Sequence, residues 1–274
     1  MADRCSHPDF LLKDVEDVII TTVMKNFKEA ETAAKALAHS MNSQYVPRNK
    51  KSITSLLQKG EAVLVIGTER MELYSAPDEK PFFFHPNSAM FRIKRLLDGE
   101  HDPFVDAAGI EKGKTILDCT LGLASDSIVA AYAAGEEGKV CGIEGNKEMA
   151  LIVGEGLKKW DAGNDEISKA MKRVEVVYAD HLEFLQTCGD RSFDIVYFDP
   201  MFEEALSSEG MVPLKQIANY DDLRGEVIAQ AKRVAKERVV LKDHWTSGRF
   251  EKWGFSQIKR RSASFHFGVI EKGD

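Results

Sequence analysis

Four acids follow apolar runs directly: Asp118 after TIL, Glu144 after KVCGI, Asp180 after VEVVYA and Asp199 after FDIVYF. An acid in that position caps the next helix or faces a ligand. A single one is commonplace. Four along one sheet edge would crowd negative charge into a cleft unless a ligand brings donors or positive charge. The last of them opens the stretch DPMF (199–202), in which a proline fixes the backbone beside the acid and an aromatic ring follows.

The segment DCTLGLASDSIVAA narrows the ligand. Gly122 permits positive φ or close approach of the backbone to a ligand, and Ser125 and Asp126 stand where the next helix opens. The segment lacks G-x-G-x-x-G, and no Lys-Ser/Thr pair follows to make a P-loop. A pyrophosphate would be repelled by the extra acids, so a nicotinamide dehydrogenase is disfavoured. An acid-lined loop suits a cation. Glu144 stands 22 positions after Gly122, close to the ~20 expected for an acid on ribose hydroxyls. Asp180, on the next strand, is placed to accept from an adenine amino group. Together these describe a positively charged nucleoside, and S-adenosylmethionine fits.

The elements that must hold these residues alternate. From Thr115 the strands read TILDC, KVCGIE, VEVVYAD, FDIVYFD and RVVLKDH, separated by helical stretches such as NKEMALIVGEGLKKW and YDDLRGEVIAQAKRVAKE. Apolar strands separated by helices imply a parallel sheet covered on both faces. FSQIKRRS and SFHFGVIE have no helix between them and predict an antiparallel hairpin at one edge, for seven strands in all. Such sheets bind ligands at the carboxyl ends of their strands, where the order reverses. Asn87 or Ser88 is expected to cap a helix running to about Leu97. Upstream, VIITTV, a helix over 27–41 with Ala30, Ala34, Leu37 and Met41 on one face, a short helix SITSLLQKG closed by Gly60, and the hairpin AVLVIG/MELYS form a small α/β unit. SAPDEKP (75–81) is the expected linker. The chain therefore divides into a small α/β domain at 1–80 and a Rossmann-like α/β domain at 81–274.

On these residues the chain resembles the class I S-adenosylmethionine-dependent methyltransferases over residues 83–274. The resemblance implies that the first strand and its loop, with Asp118, Gly122, Ser125 and Asp126, hold the methionine end. Glu144 with Gly145 would bind ribose, and Asp180 with His181 would lie near adenine. DPMF resembles the (D/N/S)-P-P-(Y/F) motif of methyltransferases acting on exocyclic amines. There Asp199 and the Pro200 carbonyl would accept the amine hydrogens and align its lone pair, while Phe202 would stack on the base. FFHPNSAMFRIKRLLDGEHDP, LDCTLGLASDSIVAA and YFDPMF together resemble the RsmJ-type methyltransferases, which methylate guanine N2 in 16S ribosomal RNA. That implies ribosomal RNA or the small ribosomal subunit as partner, with Arg92, Lys94 and Arg95 meeting phosphate.

Composition constrains the rest. With 43% hydrophobic and 30% charged residues the chain is globular in type. It has no apolar run of ~20 residues and no basic-then-apolar leader, so the cytoplasm is expected. The four cysteines form no C-x-x-C pair, and Cys119 and Cys141 are expected reduced and buried. His85, His181 and His244 fall near strand ends, but their spacing with the acids matches no ligand set, so no metal is expected. The net charge of −7 argues against indiscriminate polyanion binding, although basic clusters occur at 48–51, 92–95, 232–238 and 259–261. Glu203 and Glu204, just past DPMF, would repel a phosphate backbone. A small-molecule or protein substrate, or a non-catalytic RNA-binding or ribosome-assembly role, therefore stays open beside the RNA reading.

Overall fold

The computed structural model describes residues 18–273 apart from 26, 61, 78 and 201–222. The described residues part into two units between Phe84 and His85.

The first unit contains β1 (Val18–Thr22), α1 (Phe27–Ser40), β2 (Gln44–Tyr45), α2 (Ile53–Leu57), β3 (Ala62–Ile66) and β4 (Met71–Tyr74). Its sheet order is β2-β1-β3-β4. β1 runs parallel to β2 and β3, and β4 closes the predicted hairpin antiparallel to β3. β1 is β-branched but for nothing in its five residues, and all five are buried. α1 covers the sheet with Ala30, Ala34 and Ala38, one helical turn apart, and Met41 follows beneath; Leu37, expected on that face, is only half-buried. Ser52 caps α2 by accepting from the Ser55 amide at 3.0 Å, and α2 ends at Leu57 rather than Gly60. Leu73 and Phe82 exchange two backbone hydrogen bonds at 2.8 Å, so pairing continues beyond the expected linker.

The second unit runs α3 (Asn87–Leu97), α4 (Pro103–Ala108), β5 (Thr115–Asp118), α5 (Ser125–Ala134), β6 (Lys139–Glu144), α6 (Lys147–Lys159), α7 (Asp165–Lys172), β7 (Val174–Tyr178), α8 (His181–Thr187), β8 (Phe193–Phe198), α9 (Gly225–Val234), β9 (Ala235–His244), α10 (Arg249–Trp253), β10 (Ser256–Ile258) and β11 (Phe265–Glu271). The seven strands order as β10-β11-β9-β8-β5-β6-β7. β7, β6, β5, β8 and β9 are parallel, and β11 pairs antiparallel with both β9 and β10, as the sequence pattern predicts. Chain order reverses between β5 and β8, which makes the carboxyl ends of those two strands the switch point. Ile116, Leu117, Ile195, Val196, Val239 and Val240 are all fully buried, as strands covered on both faces require.

In this unit one helix boundary differs from the sequence reading and one helix is additional to it. Asn87 and Ser88 lie inside α3, whose capping position is Pro86 with no side-chain cap. α4 is an additional helix, capped by Asp102, whose Oδ1 accepts from the amides of Phe104 and Val105, with Pro103 at its first position and Gly109 ending it at φ +60°. Among the described residues no helix is long and apolar enough to cross a membrane, and no group of three His, Cys, Asp or Glu could hold a metal ion.

Candidate active site

The loops after β5 and β8 are tied together at the switch point by Thr120. Its hydroxyl accepts from the Asp199 amide at 2.6 Å, and its own amide donates to Asp118 Oδ1 at 3.0 Å. Asp118 is only 2% exposed. Its other oxygen accepts from Ser127 Oγ at 2.7 Å, at the start of α5. Burial pushes its carboxyl up to about 7, against those two hydrogen bonds. Asp118 therefore faces inward and clamps the loop, rather than lying open toward a ligand.

The loop between Asp118 and α5 winds through two left-handed residues, Gly122 at φ +52° and Ala124 at φ +59°. Among the described residues no atom lies within 4 Å of where a Gly122 Cβ would be, so the backbone there borders open space. The Gly122 amide donates to Glu144 Oε2 at 3.1 Å, and the Asn146 amide donates to Oε1 at 2.9 Å. Burial raises the Glu144 carboxyl, opposed by these amides and that of Gly145. Each oxygen of Glu144 keeps lone-pair capacity for a further donor. Gly145 is exposed and Ser125, the first residue of α5, is half-buried. On the neighbouring strand, Asp180 Oδ1 takes the amides of Leu182 and Glu183, both at 2.9 Å. It caps α8, as an acid after a strand often does. His181 begins that helix with its ring edge-on to Phe198, at 6.3 Å between centroids.

Asp126 occupies the centre of a buried ion network. Oδ1 accepts from Arg92 Nη1, and Oδ2 accepts from Tyr197 Oη at 2.9 Å and Lys242 Nζ at 3.2 Å. Burial alone would raise its carboxyl, but Lys242 and Arg92 overcome burial and hold it well below the usual range. Arg92 also grips Asp102 with two bonds of 2.7 Å and lies over Phe104, 5.8 Å from the ring centroid. Its guanidinium is thus committed inside the protein. Of the other two basic residues on α3, Lys94 is exposed and Arg95 pairs with Glu100 at 2.6 Å.

Lys242, from β9, bridges to the motif at the end of β8. Its Nζ donates to Asp199 Oδ2 at 2.6 Å. Asp199 remains about a quarter exposed (25% of its side chain), and Pro200 beside it is half-buried. The Asp199 carboxyl is pushed up to about 6, by burial first and also by Asp126, with Lys242 pulling it down. Phe202, Glu203 and Glu204 lie outside the described residues.

The expectation of four acids converging on one cationic ligand needs revision. Asp118 is turned inward, and Asp180 commits one oxygen to capping α8. Arg92 and Lys242 supply positive charge from within the protein, and the sequence reading counted neither in this role. Thr120 and Tyr197 were also missed. A signal existed for Lys242: it is the lone cation inside the apolar run VVLKD, and a lysine on a buried strand needs an acid.

S-adenosylmethionine fits what remains open. Gly122 borders free space, Glu144 offers two oxygens to hydroxyls, and both stand at the switch point where this sheet type receives nucleosides. Comparisons with known proteins agree. The family described as "Putative SAM-dependent methyltransferase" matches residues 49–257. The protein YpiP of Bacillus subtilis is 47% identical over 92% of this chain and 99% of its own length. Ribosomal RNA small subunit methyltransferase J of Coxiella burnetii is 33% identical over 156 residues, 54% of this chain and 59% of that protein. A crystal structure of a SAM-dependent methyltransferase from Neisseria gonorrhoeae shares the fold, with TM-score 0.57 at 18% identity over 92% of this chain and 95% of that one. The chain thus belongs to the SAM-dependent methyltransferase family and takes S-adenosylmethionine as its cofactor.

Proposed function

We propose that the protein methylates an exocyclic amine of a nucleobase in small-subunit ribosomal RNA, with guanine N2 as the target. The observation that carries this reading is Asp199 at the carboxyl end of β8, partly exposed and fixed on two sides by Thr120 and Lys242. The likeness to ribosomal RNA small subunit methyltransferase J supports the choice of RNA.

S-adenosylmethionine supplies an electrophilic methyl group on a sulfonium. Gly122, Glu144 and Gly145, with Asp180 and His181, are the residues assigned to hold it, and Ser125 opens the helix beside them. Asp118 and Asp126 act from behind: the first shapes the glycine loop, the second anchors Lys242. An exocyclic amine is a poor nucleophile because its lone pair is delocalised into the ring. Asp199, ionised and oriented by Lys242, accepts an amine hydrogen together with the Pro200 carbonyl and directs the lone pair. Alignment of this kind contributes several kcal/mol to a barrier, on the order of ten at its limit. Phe202 is assigned to stack on the base, worth roughly 1–3 kcal/mol.

Labelled methyl transfer to naked 16S RNA, to assembled small subunits and to cell extract is the test. Label is expected at a guanine N2 in one of the RNA fractions and lost in Asp199→Ala. Label confined to protein or small metabolites would overturn the RNA assignment, and full activity in Asp199→Ala would overturn the role given to Asp199.

A further inference from the structure

The basic run Lys259-Arg260-Arg261 occupies the turn between β10 and β11. Lys259 and Arg261 are exposed. Among the described residues none of the three forms an ion pair. Arg260 Nη1 is buried and has no hydrogen-bond partner there. In a chain of net charge −7, a cationic turn without acids is unusual. That nitrogen is enclosed, with the guanidinium over the Phe265 ring, so Lys259 and Arg261 are the cations of this turn that an incoming phosphate meets.

This turn is wired to the reactive corner. Arg260 Cζ and Lys242 Nζ each lie 5.0 Å from the centroid of the Phe265 ring, and Lys242 is the residue that holds Asp199. Trp245, 54% exposed, stands three residues past Lys242, in the turn that follows β9. It is held rigidly. Its amide donates to the Ser264 carbonyl at 3.2 Å, and its carbonyl accepts from Gln257 Nε2 at 2.9 Å. The following turn is clamped by buried Asp243, which accepts from Ser247 Oγ at 2.6 Å and Arg249 Nη1 at 3.0 Å.

One hydrogen-bond chain joins the tryptophan to the arginine. Gln257 Nε2, which donates to the Trp245 carbonyl, lies 2.9 Å from His266 Nδ1. On the other side of the ring, the Arg260 amide donates to His266 Nε2 at 3.1 Å. The backbones of Trp245 and Arg260 are thus tied together through Gln257 and His266, on the strands that also carry Lys242 and Phe265.

We infer that Trp245, Phe265 and the 259–261 turn form a surface for single-stranded RNA next to the target nucleotide, an inference that rests on the RNA reading above. Trp245 stacks on a neighbouring base, and Lys259 and Arg261 take the adjoining phosphates, with Arg260 adding its charge from between them. An enzyme acting on a base amine needs that base unpaired, so a stacking platform near the motif suits single strands rather than duplex.

The test is binding of a short single-stranded oligoribonucleotide to the full chain, followed by anisotropy across a salt series, with poly-aspartate as competitor. Trp245→Ala and Arg260→Glu are each expected to weaken RNA binding at least tenfold. Arg260→Glu is also expected to flatten the salt dependence. Calorimetric S-adenosylmethionine binding should be unchanged in both, which controls for folding, and the double variant Lys259→Glu/Arg261→Glu, on exposed positions, should weaken RNA binding likewise. Variants that bind RNA as the wild type does would overturn the surface, as would displacement of RNA by poly-aspartate at equal charge. If ribosomal RNA is methylated at full rate by Arg260→Glu, the surface falls and the proposed function stands. If the wild type neither binds nor methylates RNA, both fall.

Discussion

Replacing Lys242 with methionine removes the cation 2.6 Å from Asp199 while keeping most of the side-chain volume. At that separation two unit charges in an effective dielectric of ~20 interact by about 6 kcal/mol. Lys242 is itself desolvated and shared with Asp126, so only part of this acts on Asp199. Carboxylates beside a cation are lowered by ~1–3 units. Without Lys242, the Asp199 carboxyl would move from about 6 to between about 7 and 9. A raised carboxyl is ionised only at higher pH. For a two-unit rise, the ionised fraction at pH 7 falls from about nine-tenths to about one-tenth. If the carboxylate form is what orients the amine, kcat/KM of the wild type should fall as pH drops through about 6. In Lys242→Met that limb should shift to alkaline pH, with about tenfold lower activity at pH 7 and recovery near pH 9. Lys242→Arg keeps the charge and should restore the limb toward its original position. The assay is methyl transfer against pH, with cofactor binding as the control for folding. Coincident limbs in wild type and Lys242→Met, with both folded, would refute the assignment.

Asp118→Asn should flatten the pH dependence of stability. With its folded carboxyl raised to about 7, the native protein keeps a proton that the unfolded chain releases from about pH 4 upward. Asp118 therefore costs stability progressively between those values, by about 4 kcal/mol once fully ionised in the unfolded chain above pH 7; melting at pH 5 and pH 8 should differ less in the variant. Gly122→Ala should cost about 1–2 kcal/mol of stability for an alanine at positive φ and weaken S-adenosylmethionine binding at least tenfold by calorimetry, because the new methyl enters the open space. Unchanged affinity would remove Gly122 from the binding loop. Arg92→Met should destabilise by about 3–5 kcal/mol, since Asp102 and Asp126 would lose their cation. Lys94→Ala should stay within ~0.5 kcal/mol by the same thermal melts, and equal effects would contradict the buried role of Arg92.

The fold was legible where one physical rule dominates. Continuous apolar strands separated by helical periodicity read as a parallel sheet, and the absence of a helix between the last two strands read as the antiparallel hairpin. α4 was missed although Asp102-Pro103, an N-cap followed by proline at the first position, announces it; the apolar periodicity of a six-residue helix is too short to stand out. The acids at the strand ends were found, but not their partners. Arg92 lies 34 residues from Asp126, and Lys242 lies 116. Pairing across such distances is decided by topology, not by local pattern. For the same reason Arg92 read as a surface cation, when its neighbours on α3 are the ones facing solvent. Asp180 caps α8 through Oδ1, a local role that stands beside the ligand contact assigned to it above.

α9 ends at Val234 and β9 begins at Ala235 with no residue between them. A joint without slack transmits any change of length. Because side chains alternate across a strand, one inserted residue at 234/235 would turn Lys242 to the opposite face of the sheet. The carboxylates beside it would be stranded while the backbone ladder could still form. Loops elsewhere in the unit can absorb length variation; this joint instead acts as a ruler, so that chain length here governs the chemistry of the motif one strand away.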